Sequence, residues 1–220
     1  MYKAFIISGG WQGHSPEAIS QYFAAELEKE NYEVTISRTL DVLDQITWLQ
    51  AFDLIIMNWT RGNLSTERYE NLQTAIASGT GLAGIHGGLL SAFQNSKKYM
   101  LLTGGVFVAH PDGVTTDYEV NIVEYDHPIT RELTDFTVHT EQYYVLTDPA
   151  IHILATTDFD KAKHPNATNG LPIKLPVAWT KYWGKGKIFY QSLGHDLAVC
   201  QISQVTRLTI QGFKWATRKE

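Results

Sequence analysis

The chain has 220 residues, of which 44% are hydrophobic and 19% charged, a composition typical of a globular protein with a large buried core. Its formal net charge of -5 argues against a dedicated binder of nucleic acids or anionic membranes, because both functions need a concentrated basic surface. The one cysteine, Cys200, excludes an intrachain disulfide framework and any multi-cysteine zinc site.

These bounds lead to several expectations. The start of the chain has too short an apolar run for a signal peptide, and no later stretch approaches the roughly 20 apolar residues of a membrane span. We therefore expect a cytoplasmic protein that folds as a single domain over residues 1–220, with no nucleic-acid or membrane partner. A small polar or neutral molecule is the expected partner, and a homodimer is the default assembly for a protein of this size.

The first half of the chain alternates short apolar runs with amphipathic segments. The apolar runs predict strands at residues 4–8, 32–36, 52–59 and 81–85. One helix is predicted to begin at Ser15-Pro16 with Ser15 as its N-cap, and another at Ser65, which caps a helix that runs to Gly79. This alternation predicts a parallel sheet with helices on both faces.

After residue 105 the pattern changes to alternating polar and β-branched residues. It predicts added antiparallel or mixed strands at residues 115–123, 136–145, 151–156 and 176–179, and a glycine-turned hairpin within 179–190. Residues 160–172, rich in Pro, Asn and Gly, are predicted to form a mobile loop. One C-terminal helix is predicted to carry the apolar residues Val199, Ile202, Val205 and Leu208.

The most informative motif is GIHGG at residues 84–88, directly after the fourth predicted strand. Its small residues allow a sharp turn from strand to helix that presents one side chain, and His86 stands where such elbows carry serine or cysteine. Histidine does not replace an acyl nucleophile, so the motif predicts acid–base, metal-ligand or substrate-binding chemistry at His86.

Three more histidines follow predicted strands or glycine-rich turns: His14, His110 and His195. In doubly wound sheets, ligands bind outside the carboxyl ends of the parallel strands. A lone histidine is commonly a structural hydrogen bonder, but the joint placement of His86 with these three indicates a site. The same four histidines are the expected ligands if a divalent metal ion binds, although no HxH or HExxH spacing supports one.

Glu141, in the run HTEQYY at residues 139–144, is the best acidic candidate. If buried between aromatic neighbours, its pKa is expected to be raised, which suits proton transfer near neutrality. Trp59 and Tyr143 are predicted beside the site, where aromatic faces suit a sugar ring. No GxGxxG or GxxxxGK[ST] motif occurs, so no nucleotide cofactor is expected, and Cys200 is interpreted as a buried, inert thiol.

Several separated motifs occur in an order that resembles the ThuA-like (trehalose-utilisation) family, which has a class I glutamine amidotransferase-like fold. They are Gly9-Gly10 with His14, the GIHGG elbow, Gly104 to Phe107 with His110, EQYY at 141–144, PVAW at 176–179, and GKGKIFY at 184–190 with LGHD at 193–196. The resemblance implies a three-layer, flavodoxin-like parallel sheet with helices on both faces and antiparallel strands added in the second half.

The resemblance also implies a role in the catabolism of trehalose, other disaccharides or keto-sugars. Because histidine replaces the elbow cysteine of amidotransferases, thioester-based glutaminase chemistry is excluded. In the first hypothesis the chain is a sugar-processing enzyme. His86, Glu141 and His195 are catalytic in it, while His14, Trp59, His110 and Tyr143 bind substrate. The alternatives are a non-catalytic sugar-binding or regulatory module, and an assembly subunit with an aromatic contact surface.

Overall fold

A computed structural model describes residues 1–219. Its strands are β1 (Tyr2–Gly10), β2 (Tyr32–Ser37), β3 (Leu54–Thr60), β4 (Gly81–Ile85), β5 (Gly105–Ala109), β6 (Thr116–Ile122), β7 (Phe136–Thr140), β8 (Tyr144–Thr147), β9 (His152–Phe159), β10 (Ile173–Trp183) and β11 (Gly186–Gln191). Its α-helices are α1 (Pro16–Lys29), α2 (Ile46–Gln50), α3 (Thr66–Ala77), α4 (His86–Leu90), α5 (Lys97–Thr103), α6 (Pro165–Thr168), α7 (Leu197–Cys200) and α8 (Ser203–Ala216).

The centre of the molecule is a nine-stranded sheet in the order β2-β1-β3-β4-β11-β10-β9-β6-β7. The neighbours from β2 to β11 are parallel, and those from β11 to β7 are antiparallel. Strands β5 and β8 form a separate antiparallel pair. The predicted fold class is confirmed, with a parallel half followed by added antiparallel strands.

The parallel half lies between two layers of helices. Successive side chains of a strand point to opposite faces, and in β1 Ala4 and Ile6 join one apolar cluster while Phe5 and Ile7 join the other. Helices α1 and α8 contribute to the first cluster, and α2, α3 and α5 contribute to the second. Both faces of the parallel strands are therefore covered, which explains their nearly continuous apolar sequences.

Two predictions about the helices are wrong. The Ser15 side chain makes no cap hydrogen bond, because Ser15 adopts a left-handed conformation (φ 46°) as the chain leaves the short 3-10 turn Gln12–His14. The single C-terminal helix is in fact two helices, since Ile202 is extended between α7 and α8. The Ser65 cap is confirmed, because its side chain accepts a hydrogen bond from the backbone N–H of Arg68.

The segment 136–145 is not one strand. Residues 141–143 interrupt it, so that β7 pairs with β6 in the large sheet while β8 pairs with β5. The glycine-turned hairpin is confirmed as β10 and β11. Residues 160–172 connect β9 to β10 and include the short helix α6, and their mobility stays a prediction. Within residues 1–219, no helix is both long and apolar enough to cross a bilayer.

Candidate functional site

Neighbouring parallel strands bring the candidate histidines to one edge of the sheet. His14 follows β1, His86 follows β4, and His195 follows β11. In the sheet β3 lies between β1 and β4, and β11 lies beside β4. Because these strands are parallel, their carboxyl ends meet at the same edge, where ligands bind in folds of this class.

The predicted elbow at His86 is confirmed. His86 is 2% exposed and has a positive φ of 50°, a left-handed conformation that is uncommon for residues other than glycine. The glycine after it permits a close contact: a Cβ atom at position 87 would lie 2.7 Å from Cε1 of His14. Gly87 therefore allows two histidine rings to pack with their centroids only 4.7 Å apart.

The two ring nitrogens of His86 have different partners. Nδ1 lies 2.8 Å from the carbonyl oxygen of Ser192, and a carbonyl only accepts, so Nδ1 carries the proton. Nε2 lies 2.8 Å from the Tyr143 hydroxyl and 3.2 Å from Oε2 of Glu141. The Tyr143 ring also stacks on the imidazole at 4.3 Å, so the orientation of His86 is fixed from both sides.

A compact group of possible ligand atoms surrounds the Glu141 carboxylate. One atom each from His14, His86, Glu141 and His195 lies within 4.8 Å of all the others. Nδ1 of His195 is 3.3 Å from Oε1 of Glu141. Nδ1 of His14 is 3.1 Å from the Thr60 hydroxyl, which leaves its Nε2 free of that contact.

Burial and charge set different protonation states in this group. Burial, aided by the neighbouring His86 and His195, lowers the pKa of His14 to about 3. Burial also lowers the pKa of His86, against the opposing effect of Glu141. The close polar contact with the Glu141 carboxylate instead raises the pKa of His195.

The expected raised pKa of Glu141 is wrong. Burial acts in the expected direction, but the contacts with His195 and His86 outweigh it and hold the pKa of the carboxyl below its ordinary value. Glu141 is therefore a carboxylate at neutral pH. It is 4% exposed, so its charge is shielded from bulk water and faces the histidines.

A cavity of about 310 Å³ opens above these groups, a size within the range of small-molecule sites. Of the predicted residues, those that line it are His14, His110, Glu141, Tyr143 and His195. His86 lies buried behind them. The His110 side chain is 39% exposed and its Nε2 is 3.8 Å from Oε1 of Glu141. His110 follows β5, which belongs to the separate two-stranded sheet and not to the parallel strands whose carboxyl ends carry the other three histidines.

Trp59 does not line the cavity. Its ring packs against the backbone of Gly9, where an added Cβ would lie 2.5 Å from the indole, and joins the apolar cluster on that face of the sheet. Trp59 has a packing role, because the indole fills the space that Gly9 leaves empty, and its contact with substrate stays a prediction. Trp11 lines the cavity instead.

Several other cavity residues were not predicted from the sequence. They are Thr60, Arg61, Ser91, Gln94, Phe107 and Val114. Thr60 and Arg61 stand at the carboxyl end of β3, so the rule that pointed to His86 could have found them as well. Nothing in the local sequence marks the Ser192 carbonyl, whose contact with His86 depends on how β11 leaves the sheet.

The interpretation of Cys200 is supported by its surroundings. The thiol is free and fully buried. Burial raises its pKa to about 12, so the reactive thiolate is disfavoured at neutral pH.

The chain is similar in sequence to a known protein family. Residues 3–216 match the ThuA family, described as "Trehalose utilisation". The chain belongs to the ThuA family. No curated protein matches this ThuA-family sequence.

Solved structures share the fold of this ThuA-family protein. A ThuA-like protein from Parabacteroides merdae has a TM-score of 0.79 and 16% identity, covering 100% of this chain and 92% of its own. One from Bacteroides uniformis has a TM-score of 0.77 and 18% identity, covering 98% of this chain and 91% of its own. A protein from Salmonella typhimurium described as cytoplasmic has a TM-score of 0.67 and 12% identity, with both chains covered completely at 100%.

Proposed function

We propose that this ThuA-family protein is an enzyme of carbohydrate catabolism that binds a divalent metal ion between His14, His86, Glu141 and His195 and a sugar or keto-sugar above it. One observation carries the proposal: four ligand atoms from four distant parts of the chain lie within 4.8 Å of one another. Imidazole nitrogen and carboxylate oxygen are ordinary zinc ligands, which stand about 3.4 Å apart in a tetrahedron. The contacts of 3.2 and 3.3 Å at Glu141 are close to that spacing.

The hydrogen bonds of His86 support a cation at this position. With the proton on Nδ1 and the pKa lowered by burial, Nε2 presents a lone pair toward the Glu141 carboxylate. The Tyr143 hydroxyl donates to this Nε2, and a cation in the cluster would take its place and lie between the lone pair and the carboxylate, where it attracts both. Metal-bound histidines commonly donate their other ring N–H to a carbonyl, as His86 does to Ser192.

The surroundings of His195 point the same way. Its Nδ1 is buried and has no aligned hydrogen-bond partner within residues 1–219, although Oε1 of Glu141 is 3.3 Å away. A buried ring nitrogen without a partner is costly, and a metal ion is one way to satisfy it. This unpaired atom lies in the same cluster as the His86 lone pair.

A divalent ion in such a site supplies Lewis-acid polarisation of a substrate carbonyl or hydroxyl oxygen. The chain's own residues divide the remaining tasks. Tyr143 stacks on His86 and holds its ring, while His110 stands outside the four ligands. We assign proton transfer with substrate to Nε2 of His110, because this side chain is partly exposed and lines the cavity.

A sugar is the proposed substrate for two reasons. The family description is trehalose utilisation, and the rings of Trp11, Phe107 and Tyr143 line the cavity beside its polar groups. Aromatic faces next to hydrogen-bonding groups suit a sugar ring. We also propose a cytoplasmic location, in line with the description of the Salmonella typhimurium neighbour.

The first test is metal content. Protein dialysed against zinc, manganese or cobalt and then freed of unbound ion is analysed for each element. We expect about one equivalent of one ion in the wild type and less than about a tenth in H86A and in E141Q. H139A is the matched control, because His139 is exposed and paired with Asp117 away from the cavity, and it should retain the ion.

A second candidate is a metal-free site in which His195 and Glu141 transfer protons. Its basis is the contact between these two residues and the raised pKa of His195. Turnover and binding assays on the metal-loaded and the metal-free protein separate these functions. Turnover of keto-disaccharides that persists without bound metal and is unaffected by EDTA would support the metal-free enzyme. Binding of an unchanged sugar without turnover would support a binding module.

A further inference from the structure

An arginine without an acidic partner lies at the edge of the cavity. Arg61 is exposed, lines the cavity, and places its guanidinium carbon 4.4 Å from the centroid of the Trp11 ring. Four other arginines pair with carboxylates, but within residues 1–219 Arg61 forms no ion pair with Asp or Glu. The group is thus oriented by stacking and left free to bind an anion.

The backbone conformation of Arg61 also indicates a functional position. Arg61 has a φ of 63°, a left-handed conformation in which a long side chain is uncommon. Its backbone N–H donates to the Ser91 carbonyl oxygen at 2.9 Å, which ties the end of β3 to the segment after α4. Strained backbone conformations of this kind are concentrated at functional sites.

No carboxylate at the cavity neutralises the positive charge of Arg61. Glu141 is the one carboxylate among the lining residues, and its oxygens already face His86, His110 and His195. A ligand with negative charge near Arg61 would balance this edge of the cavity.

We infer that Arg61 binds an anionic substituent of the substrate, a carboxylate or a phosphate, so that the cavity accepts an acidic sugar in preference to a neutral one. The planar guanidinium offers two parallel N–H donors to such a group, and stacking on Trp11 holds the plane in place. The inference rests on the proposed function, since it names the substrate class of the same cavity.

Calorimetric titration of zinc-loaded protein with glucuronate, glucose 6-phosphate and glucose tests this inference. We expect at least one of the two anions to bind about tenfold or more tightly than glucose, and the tighter anion identifies the group as carboxylate or phosphate. R61M should reduce that preference to within about threefold without weakening glucose binding. R61K should show a preference between those of the wild type and R61M, because lysine keeps the positive charge and loses the two parallel N–H donors.

R207M is the matched control, because Arg207 lies on the surface beside Glu132, and it should keep the full preference. Equal binding of the three ligands, no binding of any, or a preference that persists in R61M would overturn the inference. Metal content is measured on the same wild-type and R61M samples. Loss of metal from the wild type would refute the proposed function, whereas retained metal with no anion preference would refute only the role of Arg61.

Discussion

Nε2 of His86 lies 3.2 Å from Oε2 of Glu141, while Nδ1 on the other side of the ring lies 2.8 Å from the Ser192 carbonyl oxygen. The carbonyl fixes the proton on Nδ1, and the elbow fixes the direction of the ring. The Nε2 lone pair therefore lies beside a buried carboxylate and accepts a hydrogen bond from the Tyr143 hydroxyl. This relationship is the reason for placing a metal ion at the site. It also predicts how the neighbouring Tyr143 affects metal affinity.

Tyr143→Phe removes the hydroxyl that donates to Nε2 of His86 at 2.8 Å. If a metal ion uses the same lone pair, the hydroxyl competes with it, so the variant should bind metal at least as tightly as the wild type. Titration against a chromophoric chelator measures the affinity. An affinity more than about tenfold weaker in Y143F would mean that the hydroxyl supports the ligand set and does not compete with the ion.

Gly87→Ala should disturb the site without removing any ligand. The new methyl group would lie 2.7 Å from Cε1 and 2.9 Å from Nδ1 of His14, so this ring must move. We expect metal affinity to fall by about tenfold or more, since a displaced ligand loses its alignment. Gly113→Ala is the control, because nothing lies within 4 Å of its Cβ position and only backbone strain is added. Equal affinities in both variants would contradict the argument.

The residues of the site were predictable in type but not in arrangement. His14, His86 and His195 could be found because each follows a strand of the parallel edge. The ligand set could not be found, because Glu141 arrives from a break between β7 and β8 that the continuous polar pattern of residues 136–145 conceals. The pKa of Glu141 was predicted in the wrong direction, since burial was foreseen and the two histidine contacts were not.

Asp148→Asn tests a buried ion pair outside the cavity. Lys181 and Asp148 are 2.6 Å apart with side chains 5% and 13% exposed, and the hydrogen bond from Lys181 lowers the pKa of Asp148. The variant leaves Lys181 without its counter-charge, so the free energy of unfolding at pH 7 should fall by about 3 kcal/mol.

The pH dependence of this effect has a definite sign. A carboxyl whose pKa is lowered on folding stabilises the protein above its unfolded pKa of about 4, and this contribution is lost as pH falls through the folded pKa. The difference between D148N and wild type in urea denaturation should therefore shrink below about pH 4. Asp158→Asn is the control, because its pair with Lys174 is exposed and should contribute under about 1 kcal/mol. A D148N deficit that is constant with pH would contradict the assignment.

Gly212→Ala should destabilise the protein although alanine is the better helix former. In α8 the exchange would favour the helix by about 1 kcal/mol, but the added Cβ would lie 2.1 Å from Cε1 of the buried Phe189 ring. We expect a net loss of about 1–3 kcal/mol in the free energy of unfolding. Gln204→Ala, at an exposed position of the same helix, should change it by less than about 0.5 kcal/mol. A more stable G212A would show that β11 and α8 can separate freely.

The fold was more predictable than the site because its signals are local. Apolar runs such as residues 81–85 identify strands that are covered on both faces, and an N-cap serine such as Ser65 identifies the start of a helix. The errors arose where tertiary contacts override local preference. At Ser15 the chain follows the turn that positions His14, and at Ile202 it bends between α7 and α8. The bend at Ile202 has no neighbouring glycine or proline to mark it, and at Ser15 the neighbouring Gly13 and Pro16 mark a turn but not the left-handed conformation of Ser15 itself.

The most direct test of the central claim is an anomalous difference map from a crystal of the zinc-loaded protein, measured above and below the zinc absorption edge. We predict one strong peak at about 2.0–2.2 Å from one atom each of His14, His86, Glu141 and His195. A map with no peak at this cluster, or with the zinc bound by other residues while His86 and Glu141 remain in direct contact, would contradict the claim.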